Sequence, residues 1–348
     1  MFHKSFRCAA FAVAFVACLA APLSSRATEV VINTAFGLIE VDLTENATPL
    51  TVANFMGYVR DGAYDKNLIH RSVPTFIFQS GSYVVTGEEQ ITDVETGPPV
   101  RNEFGASNVR GTIAMAKLGG NPDSATSGWF INLADNSTNL DNQNGGFTVF
   151  GRVREADYDV LDAIEAVQTW RFAPPFSEIP LRNFNGGGQA VTADNFLLVS
   201  ISELSDFDIN AGLNDAWYNQ ETDGQGFFIN VFPEIGQLFI SWFTFEDGTT
   251  DTGLVPNLGA ASHRWFTASG PFDGNRAELT LYTTRGGVFD SGSPSPVTSE
   301  SGRIELIFAN CNLAELYYEL PEQNLADSIR LTRVANDNIA LCEALAED

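Results

Sequence analysis

The sequence predicts a mainly β protein built from two folded units, and three observations carry that expectation. Its 348 residues exceed what one hydrophobic core usually organises. Short β-type runs recur along the chain between stretches rich in Gly, Asn, Asp and Pro, the pattern of strands joined by turns. Helical periodicity is confined to two segments of the first half and to the very end. Many short strands with two helices predict a closed β-barrel for the first unit, with the helices covering its ends.

Residues 1–27 have the three-part layout of a secretory signal: Lys4 and Arg7, an apolar run over 9–21, then Ser25-Arg26-Ala27 with small residues where cleavage is determined. A mature start near Thr28 and a periplasmic or secreted location are expected. The apolar run is shorter than the ~20 residues of a membrane span, and no other stretch comes close, so a soluble mature protein is expected. The competing reading is lipidation at Cys18, within Phe15-Val16-Ala17-Cys18. Removal of Lys4, Arg7 and Arg26 takes the formal charge from −25 to −28. Such a chain lacks the basic footprint that nucleic acid requires, so no nucleic-acid partner is expected; the acidity reads as solubility.

Two of the four cysteines, Cys8 and Cys18, lie in the leader; Cys311 and Cys342 remain, in a compartment where thiols oxidise, and are expected to pair. With both thiols committed and His70 and His263 the only histidines beyond the leader, there is little from which to build a zinc site or a Ser-His-Asp triad. No metal and no cofactor are expected.

Residues 30–33 and 37–42 read as two β-runs joined by a tight turn. A helix follows, with Thr48 at its N-cap and Pro49 in the first turn. Val52, Phe55, Met56 and Val59 make its apolar face, and Asp61-Gly62 ends it. Further β-runs are predicted over 76–79, 111–116, 129–133, 148–153 and 196–201, and a second helix over 158–167 with Val160, Leu161, Ile164 and Val167 on one face. Between that helix and the last run, Pro174-Pro175 through Gly186-Gly187-Gly188 predicts a long irregular excursion. Residues 205–212 are the expected linker. Beyond them, β-runs over 226–232, 238–245, 277–283, 303–308 and 329–334 predict an antiparallel sandwich or barrel over 213–348.

Three ordered blocks carry a family resemblance. His70-Arg71-Ser72-Val73-Pro74-Thr75-Phe76-Ile77-Phe78-Gln79 is followed by Met115-Ala116-Lys117 with Ser124-Ala125-Thr126-Ser127-Gly128-Trp129-Phe130-Ile131-Asn132. Leu140-Asp141 and Phe147-Thr148-Val149-Phe150-Gly151-Arg152-Val153 complete the set. On these blocks, residues 28–203 resemble the cyclophilins, and 28–204 is the expected domain. The resemblance implies an eight-stranded antiparallel barrel capped by two helices, catalysing rotation about the bond that precedes proline in unfolded or exported polypeptides. It places Arg71 beside that bond, where its guanidinium donates to a proline nitrogen losing amide resonance. It assigns Phe76, Ile77, Phe130 and Leu140 to the apolar pocket for the proline ring, with Phe147 where a His is common. Gln79 corresponds to the polar residue that steadies the arginine, and the backbone at Ala116 and Lys117 to the segment that pairs with the substrate main chain. The reaction moves no proton, so His70 reads as structural rather than catalytic. Two positions depart from the pattern: Gly128 stands where a Gln usually supports the arginine, and Asn139 where some members carry a Trp that matters for cyclosporin-type inhibitors.

The second unit, with Asp215-Ala216-Trp217-Tyr218-Asn219 and Asp223-Gly224-Gln225-Gly226-Phe227-Phe228, is similar to an uncharacterised β-domain of exported bacterial proteins. Its aromatics alternate as core residues do. Asp206-Phe207-Asp208-Ile209-Asn210 begins like a calcium loop, but Ala211 and Trp217 stand where the turn glycine and the final carboxylate belong. The leading functional expectation is therefore a monomeric prolyl isomerase of exported proteins. The alternatives are a proline-peptide-binding module of the cell envelope with little turnover, because of Gly128, and a chain whose second domain binds or attaches to a ligand such as a surface glycan.

Overall fold

The hairpin at the start of the first unit forms as its sequence predicts: Glu29–Thr34 (β1) and Gly37–Leu43 (β2) pair in register from Glu29 opposite Asp42 to Thr34 opposite Gly37. This computed structural model describes residues 28–86, 90–205, 208–222, 224–245, 263–288 and 290–346. The leader expected over residues 1–27, including Cys18, and residues 206–207 of the calcium-like loop lie outside the described residues.

After the hairpin come α1 (Pro49–Arg60), β3 (Asn67–Leu68), β4 (Arg71–Val73), β5 (Ile77–Ser80), β6 (Tyr83–Thr86) and β7 (Gln90–Asp93). They are followed by β8 (Thr112–Met115), β9 (Trp129–Asn132), α2 (Ser137–Leu140), β10 (Val149–Val153) and α3 (Tyr158–Glu165). The excursion contributes β11 (Thr169–Trp170) and β12 (Ile179–Pro180), and β13 (Leu198–Leu204) ends the unit. The hydrogen-bonded order is β4-β5-β9-β8-β10-β2-β1-β13-β3-β6-β7. Strands β3 and β4 are one strand interrupted at Ile69-His70, and β5 and β6 one strand interrupted at Gly81-Ser82. Because β4 pairs with β5, β3 with β6, and β3 also with β13, the ladder returns to its own start and closes on eight strands, β7 lying outside the ring.

Helix α1 buries Val52, Phe55, Met56 and Val59 against the barrel, the face its spacing predicts. Thr48 stands at the N-cap position but does not cap: its hydroxyl donates to the Thr44 carbonyl. The free amides of the first turn are taken by a distant carboxylate, Glu103, which accepts from the N–H of Thr51 at 2.8 Å and of Leu50 at 3.2 Å. A negative charge at that end also complements the helix dipole.

The second unit is a barrel and not a sandwich. Its strands are β14 (Asp215–Tyr218), β15 (Gly226–Phe232), β16 (Gln237–Phe245), β17 (His263–Asp273), β18 (Arg276–Arg285), β19 (Val297–Asn310), β20 (Leu313–Leu320) and β21 (Leu325–Arg333). Each pairs with the next, and β21 pairs back to β14. One end is plugged. Helix α4 (Ile339–Ala346) is tied there by the Cys311–Cys342 disulfide, with Cα atoms 5.8 Å apart, and Gly212 lies against Cys342 so closely that a Cβ would meet its Cα at 2.4 Å. The fully buried Arg333 donates to the carbonyl of Gly212 and the carboxylate of Asp215, both at 2.7 Å, and to the Cys311 carbonyl, so its charge is matched without water.

The two barrels are docked. The segment expected as a linker runs along the second barrel, the N–H of Ser205 donating to Ala309 and that of Ile209 to Gly274, each at 2.8 Å. Val31 and Leu38 of the first barrel pack on Ile307 and Tyr317 of the second. At the centre the fully buried Glu315 accepts from Ser202 at 2.6 Å, from Arg330 Nε at 2.8 Å and from Asn33. Beside it Arg276 joins Glu40 at 2.6 Å and also Glu305. Burial pushes the Glu305 carboxyl up to about 7; Arg276 opposes that rise and Asp157 adds to it.

Candidate active site

Strands alternate, so each barrel strand has an inner and an outer set of side chains. In the first unit the inner set includes Phe78, Ile113, Met115, Trp129 and Ile131, all within the main core. The outer set of the same strands forms a second, smaller apolar cluster: Ile77, Ala114, Phe130, Leu140 and Val149, with Phe76, Ala116 and Phe147 packed against it. Six of the residues expected in the pocket, Phe76, Ile77, Ala116, Phe130, Leu140 and Phe147, thus meet on the outside of the barrel. Ile77, Phe130 and Leu140 are buried although they point away from the core. Phe130 and Phe147 meet edge to face with centroids 5.7 Å apart.

Register places the polar residues at the edge of this cluster. Arg71 on β4 stands opposite Gln79 on β5, Gln79 opposite Phe130 on β9, and Phe130 opposite Ala114 on β8, making one rung across four strands. The turn joining β4 to β5 holds Pro74 and then Thr75 at φ 59°, with the N–H of Phe76 donating back to Val73 at 3.0 Å. Proline followed by a positive φ is the type II arrangement, and a β-branched residue in that conformation is a strained one. It is held by the Thr75 N–H donating to Glu165 at 2.8 Å. The Phe76 carbonyl accepts from Leu133 N–H at 2.9 Å and Asn136 Nδ2 at 2.7 Å, which fixes Phe76 at the side of the cluster.

The arginine has a partner that its neighbours in sequence do not disclose. Arg71 Nε donates to Glu178 Oε2 at 2.8 Å, the two side chains being about one third exposed. Glu178 lies in the excursion, next to β12, and the Ser72 N–H donates to its carbonyl at 2.8 Å. Gly128 does not face an empty space: a Cβ there would meet Ser82 Oγ at 3.0 Å and the Ala116 Cβ at 3.4 Å. Its carbonyl accepts from the Ala116 N–H at 2.9 Å, which aligns the 116–117 backbone along the pocket.

Lys117 is more than a backbone position. Its ammonium donates to the carbonyl of Asn144 at 2.9 Å, to that of Gly146, and to Asn102 Oδ1 at 3.2 Å, and it lies 4.7 Å from the Phe147 ring centre. Burial lowers its pKa, with Asp123 opposing. The side chain therefore ties the loop that carries Phe147. Asn102, unmarked in the sequence reading, belongs to the same brace, accepting from Thr148 at 2.7 Å and donating to Gly145 at 2.8 Å. Asn139 is engaged with Gln143 at 2.6 Å on the surface of this loop. His70 is buried beside Tyr83, ring centres 4.9 Å apart, and burial lowers its pKa to about 4. It is a neutral structural residue at physiological pH.

The arrangement offers a guanidinium at the edge of an outer apolar cluster, and among the described residues no group of His, Cys, Asp and Glu that could hold a metal ion. Residues 29–185 match the family model described as cyclophilin type peptidyl-prolyl cis-trans isomerase/CLD. The chain is 40% identical over 145 residues to a peptidyl-prolyl cis-trans isomerase of Acinetobacter baylyi, a match covering 41% of this chain and 74% of that one. It is 38% identical over 175 residues to peptidyl-prolyl cis-trans isomerase A of Dickeya dadantii, covering 49% and 84%. Among solved structures it is similar to a cyclophilin type isomerase of Cryptosporidium parvum studied in the presence of the dipeptide Ala-Pro, at 21% identity and a TM-score of 0.39, covering 51% of this chain and 99% of that one. The second barrel lies outside the residues that the family model matches.

Proposed function

This chain belongs to the cyclophilin-type peptidyl-prolyl cis-trans isomerases, and from that premise we propose that it catalyses rotation about X-Pro bonds in exported polypeptides as they fold. The observation that carries the reading is the rung that sets Arg71 beside Gln79 and Phe130, at the edge of the outer apolar cluster. Amide resonance gives the bond a barrier of ~18–20 kcal/mol, and each 1.36 kcal/mol removed is about tenfold in rate. The proline ring seats on Phe76, Ile77, Phe130 and Leu140, which anchors one side of the bond while the other turns. As the bond twists, the proline nitrogen regains its lone pair, and the Arg71 guanidinium donates to it. That donation is stronger to the twisted state than to either planar one, which is the condition for catalysis.

Export is supported by the leader pattern of residues 1–27 and by the Cys311–Cys342 disulfide, which suits an oxidising compartment. Unfolded chains arrive there with slow prolyl steps ahead of them. The weak-turnover reading rests on Gly128. Against it stands Glu178, which holds Arg71 from the other side.

The test is a proline-peptide isomerisation assay on the purified protein. Arg71→Ala is expected to lower kcat/KM by about a hundredfold, with thermal unfolding unchanged. Equal rates for the variant and the parent would refute the mechanism. If the parent binds the peptide without accelerating it and Gly128→Gln gains rate, the chain is a binding module instead.

A further inference from the structure

Three consecutive residues on the loop before β10 stand in the left-handed backbone region: Asn144 at φ 52°, Gly145 at φ 75° and Gly146 at φ 74°. Phe147 follows them directly. Asn is among the few residues that tolerate this conformation, and the two glycines have no room for a side chain. A Cβ on Gly145 would meet Pro122 at 3.1 Å, and one on Gly146 would meet the Phe104 ring at 2.4 Å. The run belongs to no helix or strand, so its carbonyls need partners from elsewhere in the chain.

Two side chains take all three of them. Lys117 Nζ donates to the carbonyl of Asn144 at 2.9 Å and to that of Gly146, and Asn102 Nδ2 donates to that of Gly145 at 2.8 Å. The two side chains are themselves joined, Asn102 Oδ1 accepting from Lys117 Nζ at 3.2 Å. The ammonium therefore has three acceptors for its three donors, and it lies 4.7 Å from the Phe147 ring centre. The brace is anchored away from the pocket. Asn102 donates its N–H to Asp123 at 2.8 Å and accepts from Thr148 Oγ1 at 2.7 Å. Thr148 Oγ1 in turn accepts from the N–H of Glu103, whose carboxylate holds the first turn of α1. On its other side Phe147 donates its N–H to Leu140 at 3.2 Å, and its carbonyl accepts from Asn108 Nδ2 at 3.0 Å. Those two bonds fix the backbone at 147; the approach of the loop to it depends on Lys117 and Asn102.

We propose that Lys117 is a positioning residue for the proline pocket: its ammonium holds 144–146 in the left-handed run and so sets the Phe147 ring edge to face against Phe130. With its three donors committed to the loop and to Asn102, the side chain has none to offer a rotating X-Pro bond. It governs how firmly the proline ring is held and not how fast the bond turns. That consequence rests on the isomerase reading; the placement of Phe147 does not.

Two measurements on the intact protein test the two parts. In NMR spectra with labelled phenylalanine rings, Lys117→Met is expected to shift and broaden the Phe147 signals, assigned by their absence in Phe147→Leu, while those of Phe78 in the core stay in place. Lys117→Arg keeps the charge and the donors and is expected to leave Phe147 near its parent position. In the proline-peptide assay Lys117→Met is expected to raise KM about tenfold with kcat within about twofold, and Lys117→Arg to recover most of the loss. In a Phe147→Ala background Lys117→Met is expected to add nothing, as action through that ring requires. Asn102→Ala removes the Gly145 bond by a separate route and is expected to move the same signals and KM in the same direction, which keeps the test open if Lys117→Met folds poorly. Unchanged Phe147 signals in folded Lys117→Met protein would overturn the placement. A fall in kcat at constant KM, or an equal rise in KM with and without the Phe147 ring, would overturn the pocket role. A parent that neither binds nor turns over the peptide would refute the isomerase reading instead, and the ring signals would still decide the placement.

Discussion

Both barrels close on eight strands, but they divide labour between the faces of their sheets in opposite ways. The first fills its interior with Phe78, Trp129, Ile131 and their neighbours and carries its candidate site on the outside, where Ile77, Phe130 and Ala114 gather beside Arg71. The second seals one end, keeps a cavity toward the other, and turns part of its outer face, Ile307, Glu315 and Tyr317, onto its neighbour. The first barrel has strands interrupted at Ile69-His70 and Gly81-Ser82; in the second each strand pairs with the next around the ring. A closed sheet specifies neither where function sits nor which face is dry. What is laid over the strands decides both.

The largest test of that contrast is whether the docked face unites the barrels. Glu315→Ala leaves Arg330 and Asn33 without their buried acceptor and is expected to cost about 3–5 kcal/mol, separating one unfolding transition into two. A single transition at the parent temperature in calorimetry would show that the barrels stand without each other. Next in size is the plug. Opening the 31-residue disulfide loop with Cys311→Ser and Cys342→Ser is expected to cost about 3–4 kcal/mol, read as a lowered denaturant midpoint for the second barrel, while isomerase activity persists.

Acid separates the two regions further. The His70 pKa falls on folding from 6.5 to about 4, so between those values the unfolded chain takes up a proton that the folded one refuses. The first barrel is thus fully favoured by this residue above pH 6.5 and loses about 3 kcal/mol as the pH falls through 4. Glu305 at the interface runs the other way: its pKa rises from 4.5 to about 7, so its contribution is complete below 4.5 and is lost as the pH rises through 7. Denaturant melts between pH 4 and 8 should show the acid slope vanish in His70→Phe and the opposing slope vanish in Glu305→Gln. The smallest effect concerns Arg71. Glu178→Ala is expected to lower kcat by about tenfold with KM little changed and Glu178→Gln to restore most of it, as a positioning residue requires. Equal values in all three proteins would leave Glu178 without a role.

Much of the candidate site was legible because its residues sit in short blocks that resemble the family in order. Phe76-Ile77-Phe78 and Trp129-Phe130-Ile131 are continuous apolar runs, and each holds both faces of a strand buried on both sides, one in the core and one in the pocket. Glu178 was not legible: it lies 107 residues from Arg71 in an irregular stretch where no periodicity marks it. In the second barrel, aromatic alternation read as core packing proved to be half of the picture, since Phe227, Trp242 and Phe266 point inward while Phe228, Phe243 and Trp265 are exposed outside.

The sequence by itself determined the local order of this protein: a first hairpin, helices with one apolar stripe and strands with alternating faces. These follow from periodicity, which any residue reports through its immediate neighbours. Only the tertiary structure decided that Leu313–Leu320 is a strand, because docking buries Glu315 and Tyr317 on the face that would otherwise be wet and so erases its alternation. It decided likewise that Asn33 meets Glu315 across 282 residues, that Glu103 caps a helix whose own Thr48 does not, and that α4 seals one end of the second barrel. Contacts between distant segments are set by which surfaces exclude water together, and no window along the chain contains both partners.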